Sequence, residues 1–303
     1  MTSAPTPPEP TTPDQPTATP AEPNDDLESI AEDHPADLIA DELTLRTSTP
    51  IFGVPEGVLT FIVTAAFLMF LLTEPTPAWV ALFVAVVAAV GTDRVLRLAR
   101  RPSVELGLDP TLQVVLPAMY ALAAPVLLED MVRGWWALLA GLGAGVGFAV
   151  VLATQVHSVR PYEQWLVFAR PVANAAVYVT AFALFALTYV FDLGLPASLA
   201  AVGLAAALLG IELHRDGRAD PADTIALAAV VALVVAQLRW TLHFVPLEGY
   251  LAALALLLAF FLAGGLLHAH LTLQLRRTAI AQYAAVALAG SALIIGASST
   301  GLA

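Results

Sequence analysis

The chain contains no cysteine and no lysine among its 303 residues. Without cysteine it has no disulfide, no thiolate nucleophile and no cysteine metal ligand. Without lysine it has no Schiff base for a retinal chromophore and no phosphate-binding lysine of a P-loop. All thirteen basic residues are therefore arginine, and 25 acidic residues give a formal net charge of −12.

Most of this negative charge lies in residues 1–49, where eleven carboxylates accompany a single arginine, Arg46. The first part of this segment is rich in proline, threonine and acids and has too little apolar surface to fold. We predict a disordered acidic cytoplasmic tail over 1–49 and a transmembrane domain over 50–303. Residues 26–43 carry leucine and isoleucine at helical spacing, which makes them a candidate docking helix for a cytoplasmic protein. A solvated tether is the alternative.

Long apolar runs dominate the rest of the chain, and 58% of all residues are hydrophobic. A bilayer core about 30 Å thick requires roughly 17–25 apolar residues per spanning helix. Only helices and closed barrels satisfy the backbone in hydrocarbon, and alternating strand patterns are absent. We therefore predict an all-α polytopic transmembrane helix bundle whose nine spans are Gly57–Thr73, Ala78–Thr92, Leu112–Leu128, Gly134–Ala153, Val172–Phe191, Leu195–Ile211, Thr224–Leu238, Gly249–Leu267 and Thr278–Ser298.

The arginines fall on alternate loops. Eleven of the thirteen lie before the first span or after spans 2, 4, 6 and 8, whereas Arg133 and Arg239 lie on the other side. Because cytoplasmic loops are enriched in basic residues, we predict a protein of the cytoplasmic membrane with its N-terminus inside and its C-terminus outside. Arg239 is expected to snorkel to the outer surface beside Trp240.

Four outer turns resemble one another, and each is followed by an apolar helix that ends in polar residues. They begin at Leu72, Leu128, Tyr189 and His243. The pattern indicates a tandem repeat of helical hairpins, each about 55–60 residues long, with the ninth helix left over. Chance similarity between alanine- and leucine-rich helices is the alternative.

A glycine run in span 4 has the spacing that lets two helix backbones approach closely. It consists of Gly141, Gly143, Gly145 and Gly147. We interpret it as a packing face within the chain, and a homo-oligomer contact is the alternative.

Polar residues collect at the inner ends of the even-numbered spans. If the hairpins pack with a common geometry, these residues line one cytoplasm-facing polar cavity: Asp93, Gln155, His157, Glu212, His214, His268 and His270. Imidazole and carboxylate together bind metals or relay protons. The alternative is that they are interfacial residues that face water and lipid headgroups. No span carries an unpaired charge in its middle, which argues against an ion-coupled transporter.

The loop after span 6 contains a second candidate site. Asp216 and Asp220 stand four residues apart, so both carboxylates face the same way in a helical turn. One or two carboxylates together with substrate oxygens hold Mg²⁺ on a diphosphate. Arg215 and Arg218 are placed to take the remaining phosphate charge. An ordinary polar loop with balanced charges is the alternative.

The segment Asp216-Gly-Arg-Ala-Asp220 resembles the second acidic motif, D-x-x-x-D, of the UbiA family of membrane prenyltransferases. The resemblance implies nine helices, an inside N-terminus and Mg²⁺-dependent lipid modification. That family has a further N-D-x-x-D motif after helix 2, where this chain offers Asp93 alone. The arginine-only, acid-rich composition resembles that of multi-pass membrane proteins from salt-loving archaea, whose acidic surfaces suit high salt.

These features favour a non-enzymatic carrier or scaffold in the lipid bilayer, with no cofactor and no nucleic-acid partner. The alternative function is that of a divergent prenyltransferase-like enzyme that uses Mg²⁺ at Asp216 and Asp220.

Overall fold

The computed structural model describes residues 53–73, 78–99, 110–159, 166–215, 221–271 and 276–300. These ranges are helical and contain no strand, and they hold nine helices that are long and apolar enough to cross a membrane. The predicted helical class and the number of spans are therefore confirmed. The helices are α1 (Val54–Leu72), α2 (Ala78–Ala99), α3 (Val115–Met131), α4 (Trp136–Val159), α5 (Leu166–Val190), α6 (Leu195–His214), α7 (Pro221–Leu242), α8 (Gly249–Leu271) and α9 (Arg277–Thr300).

Several helices extend beyond their predicted ends. Helix α2 continues to Ala99 rather than ending at Thr92, and α4 continues well past Ala153. Hydropathy falls at the first polar residues, but the backbone hydrogen bonds of a helix continue through them. Helix α5 begins at Leu166, before the predicted Val172, so Pro171 lies inside the helix.

Some predictions fall outside the described residues. These are the acidic tail over 1–49 with its 26–43 segment, and the loop that holds Asp216, Arg218 and Asp220. The orientation of the bundle in the membrane also stays a prediction. Below, the end of the bundle that contains the last turn of α6 is called the inner end, after that predicted orientation, and the opposite end is called the outer end.

The helices pack as two groups of four with the same pattern of contacts. In the first group α1 packs on α4 and α2 on α3, and in the second α5 packs on α8 and α6 on α7. Helix α5 also contacts α3 and α4 and so joins the groups, while α9 packs on α8. The contacts therefore recur every four helices, which is twice the length of the predicted hairpin unit.

Aromatic and aliphatic side chains fill each group. In the first group Phe67 of α1 meets Phe148 of α4 edge to face, with ring centroids 6.5 Å apart. In the second group Phe185 of α5 meets Phe260 of α8 in the same way at 6.2 Å. Because lipid tails are as apolar as these side chains, close packing rather than transfer from water stabilises such contacts.

Three of the four glycines in α4 face other helices of the same chain. A Cβ atom on Gly141 would lie 2.7 Å from Leu68 of α1, and one on Gly145 would overlap the side chain of Thr64. A Cβ atom on Gly147 would overlap the Tyr120 hydroxyl group of α3. The glycine run thus packs within the chain. Gly143 has no atom within 4 Å of such a Cβ, and a homo-oligomer contact stays a prediction.

We expect Gly145→Ala to lower the free energy of unfolding by about 1–3 kcal/mol, because the added methyl group would lie 2.8 Å from Cβ of Thr64, an atom that side-chain rotation does not move. Gly143→Ala is the matched control in the same helix, and it should leave stability unchanged or raise it by up to about 1 kcal/mol. Thermal unfolding of the detergent-purified protein measures both changes. Equal effects of the two substitutions would contradict the packing of α1 on α4.

Candidate functional site

Three polar side chains meet between α4 and α6 at the inner end of the bundle. The Gln155 amide nitrogen donates a hydrogen bond to Glu212 Oε1 at 2.6 Å. Arg215 Nη1 donates to Glu212 Oε2 at 3.1 Å, and both Nη atoms of Arg215 donate to Gln155 Oε1 at 3.1 Å. We call this set the Gln155–Glu212–Arg215 cluster.

Helical spacing explains why these residues share one site. Glu212 and Arg215 stand three residues apart at the end of α6, so both side chains project toward the same neighbour. Ser158 follows Gln155 by three residues on α4, and its hydroxyl oxygen lies 3.5 Å from Arg215 Nη2. The two helix ends therefore present complementary groups to each other.

The ion pair in this cluster is shielded from solvent. The side chains of Arg215 and Glu212 are only 9% and 4% exposed. Burying two charges is costly unless further hydrogen bonds satisfy their remaining donors and acceptors. Gln155 supplies such hydrogen bonds, because its amide nitrogen donates to the carboxylate and its amide oxygen accepts from the guanidinium. Both carboxylate oxygens of Glu212 are engaged, so the arrangement suits a structural junction better than a general base.

The cluster joins the two helix groups. Helix α4 belongs to the first group and α6 to the second, and extensive backbone packing between these two helices is absent from the described residues. Long side chains make the connection instead. The contact between α4 and α6 therefore depends on a few hydrogen bonds. Elsewhere the two groups share a packed core, in which Leu116 of α3 and Val151 of α4 lie with residues of α5 to α8.

His214 projects away from this cluster toward α8. It follows Glu212 by two residues, which places the two side chains about 200° apart around the helix. Its ring centroid lies 6.2 Å from that of His268. Nδ1 lies 2.8 Å from the Gly210 carbonyl oxygen, which only accepts, so Nδ1 carries the proton. Nε2 is buried without a hydrogen-bond partner, and in the neutral ring it is an acceptor.

The other predicted cavity residues make contacts of their own within their helices or face solvent. Asp93 accepts a hydrogen bond of 2.8 Å from Arg97 one turn along α2. His157 is buried, and its Nδ1 donates to the Ala153 carbonyl oxygen at 2.8 Å. His270 is exposed. A single cavity lined by all seven residues stays a prediction. No group of three His, Asp or Glu side chains within the described ranges is placed to hold a metal ion.

Two arginines have roles that the sequence did not indicate. Arg215, predicted to bind a diphosphate, is engaged with Glu212 and Gln155. The three-residue spacing of Glu212 and Arg215 in the sequence indicates that these two side chains meet. The sequence does not indicate the contact between Arg215 and α4. Arg239, expected to snorkel to the outer surface, is buried inside the bundle with 5% exposure. The expectation was wrong because snorkelling requires a side chain that faces lipid, and this one faces other helices.

Within the described residues, two groups of four apolar helices and the additional helix α9 define a polytopic helical membrane protein. Over residues 58–297 the chain matches the family described as protein of unknown function (DUF5656), and it belongs to that family. The match covers nearly all of the helical region. No curated protein and no solved structure matches the chain.

Glu212→Ala should lower the free energy of unfolding by about 3 kcal/mol, because it leaves the buried Arg215 guanidinium without its carboxylate. Asp93→Ala is the matched control. It removes an ion pair of the same type from Arg97, whose side chain is 64% exposed, and should cost less than about 1 kcal/mol. Denaturant titration of both variants measures the difference. A loss in Glu212→Ala no larger than that in Asp93→Ala would show that the buried cluster is not stabilising.

Proposed function

We propose that the protein is a non-enzymatic membrane carrier in which the two groups of four helices are the moving halves. The observation that carries this proposal is the Gln155–Glu212–Arg215 cluster, which bridges the halves by side-chain hydrogen bonds. Many carriers consist of internal repeats that rock against each other around a solute site between them. In this proposal the cluster is the closed inner gate.

The chemistry of the cluster suits a contact that opens and closes. When the halves separate at this end, water replaces the hydrogen bonds of Gln155, Glu212 and Arg215. Each of the bonds between Gln155 and the Glu212–Arg215 pair has a charged partner, and such a bond contributes about 1.5–3 kcal/mol net. Opening costs the sum of these contributions, which solute binding offsets in this proposal.

At the outer end of the bundle, apolar packing joins other helices of the two groups. Phe70 and Leu71 at the end of α1 are buried in one cluster with Val126 of α3 and Leu187 of α5. This cluster includes residues of both helix groups, so it lies where an outer gate would have to open. Apolar contacts slide and repack without leaving a charge unpaired. The two ends thus offer a polar gate and an apolar gate.

The cargo in this proposal is a neutral or lipidic solute with a hydroxyl group. The charges of the inner cluster neutralise each other, which leaves none to recognise an ion. His214 Nε2 is a buried acceptor near α8 and is suited to a hydroxyl donor. The acid-rich, lysine-free composition supports a haloarchaeal cytoplasmic membrane as the location. The distribution of the arginines between alternate loops supports an N-terminus on the inside.

A static scaffold and a prenyltransferase-like enzyme are the competing functions. The enzyme requires Mg²⁺ held from two sides, by Asp216 and Asp220 and by Asp93. Asp93 is engaged by Arg97 one turn along α2, and this partner counts against its use as a metal ligand. Thermal stabilisation by Mg²⁺ with geranylgeranyl diphosphate, lost in Asp216→Asn, would favour the enzyme instead.

Cysteine labelling in nanodiscs, which expose both faces, tests the carrier. The chain has no native cysteine, so Ser158→Cys at the inner gate and Ala183→Cys in the outer apolar cluster report without background. Introducing Arg215→Gln into each of the two cysteine variants should open the inner gate. We expect Ser158→Cys to react several-fold faster with a water-soluble maleimide and Ala183→Cys to react more slowly, because alternating access couples the two ends.

The labelling outcomes separate the competing functions. Faster reaction at Ser158→Cys with no change at Ala183→Cys would indicate a local opening in a static scaffold. No change at either position would contradict a gate at the cluster. Thr180→Cys, buried in the middle of α5, is the control that detects general loosening of the bundle.

A further inference from the structure

A second buried arginine lies at the outer end of the bundle. Arg239, near the end of α7, is 5% exposed, and its Cζ atom lies 4.4 Å from the centre of the Tyr189 ring on α5. The Arg239 Nε atom is buried without a hydrogen-bond partner, and so is the Tyr189 hydroxyl oxygen. Two polar groups on neighbouring helices thus lack partners at one place.

The charge of Arg239 is not neutralised as that of Arg215 is. The described residues contain two ion pairs with known geometry, Arg97–Asp93 and Arg215–Glu212, and neither involves Arg239. At the same end Asp130 accepts a 2.6 Å hydrogen bond from the Tyr250 hydroxyl group. An unpaired charge inside a membrane protein is costly and usually marks a binding site.

The interactions that Arg239 does make compensate for only part of this cost. The Tyr189 ring attracts the cation through its negative face. The C-terminal end of α7 adds a partial negative charge of roughly one half of an elementary charge. Neither provides a hydrogen-bond acceptor for the buried Nε–H group, so an acceptor with negative charge would complete the site.

The position of Arg239 along the helix indicates where such a ligand would come from. The next residue, Trp240, is exposed, and so is Phe244 just beyond α7. Exposed tryptophan at a helix end is typical of the membrane interface, where its ring sits at headgroup level. The neighbouring Trp240 thus indicates that the end of α7 with Arg239 lies near the level of lipid headgroups.

We propose that Arg239 and Tyr189 form a binding site for a single phosphate group. The guanidinium Nε–H and the Tyr189 O–H are both donors, and a planar guanidinium matches phosphate oxygens in a bidentate fork. The phosphate is either the diester of an anionic lipid headgroup or free inorganic phosphate. The two sources share this chemistry and are separated by the test below. The site does not depend on the carrier proposal.

The test is the thermal stability of the delipidated full-length protein in detergent at constant ionic strength, because salt alone screens charges. Two ligands are titrated, inorganic phosphate and short-chain phosphatidylglycerol, with short-chain diacylglycerol as the uncharged control. We expect at least one phosphate ligand to stabilise the wild type. Stabilisation by phosphatidylglycerol alone would identify a lipid headgroup as the source, and stabilisation by inorganic phosphate as well would identify a site open to the free ion.

Three variants locate the site. Arg239→Gln should weaken binding by about tenfold or more, the loss expected for one charged hydrogen bond. Tyr189→Phe keeps the ring under the guanidinium and should weaken binding several-fold with little change in melting temperature. Arg133→Gln is the matched control, since Arg133 is an exposed arginine at the same end.

Each outcome decides the proposal. The expected pattern supports it. The absence of stabilisation by either phosphate ligand would overturn it, and so would a loss in Arg133→Gln as large as that in Arg239→Gln, which would indicate general surface charge. If Arg239→Gln fails to fold, Tyr189→Phe decides alone, and unchanged affinity in that variant would overturn the proposed site.

Discussion

The guanidinium of Arg215 is held between the carboxylate of Glu212 and the amide of Gln155, away from solvent. In such surroundings a charge is tolerated only where its donors find acceptors, so this contact restricts how α4 and α6 can be placed. Because α4 and α6 belong to different helix groups, the same contact restricts how the two groups meet at the inner end. A shift of α6 by one turn would carry Glu212 and Arg215 together away from Gln155 and break the hydrogen bonds between the two helices.

Packing within each group depends on small residues rather than on polar ones. Gly145 of α4 lies directly against Thr64 of α1, and a Cβ atom on Gly210 of α6 would lie 3.3 Å from the Ala228 backbone of α7. Close approach of this kind is the usual way in which helices associate in lipid. The inner ends of α4 and α6 thus meet through a few hydrogen bonds, while α5 packs directly on α3 and α4. In the carrier proposal, movement of the groups requires these contacts of α5 to slide.

Hydropathy and the bilayer thickness are sufficient to predict the nine helices, because each span must satisfy its own backbone. The partners of the polar residues could not be predicted in the same way. The spacing of Glu212 and Arg215 predicts that these two side chains meet. Gln155, however, is 57 residues from Glu212, and the contact between them depends on how the helices pack. For the same reason Arg239 was expected at the surface and is buried. The neighbouring helices determine which face of a helix points into the bundle. A sequence that is apolar nearly all round the helix carries little information about that face.

The most direct test of the junction is a double-mutant cycle between Gln155 and Glu212, measured by denaturant unfolding of Gln155→Ala, Glu212→Ala and the double variant. The 2.6 Å hydrogen bond between the two side chains predicts a coupling energy of about 1–2 kcal/mol. Losses of stability that add within about 0.3 kcal/mol would show that the two residues do not interact, and the account of how the helix groups are joined would then be wrong.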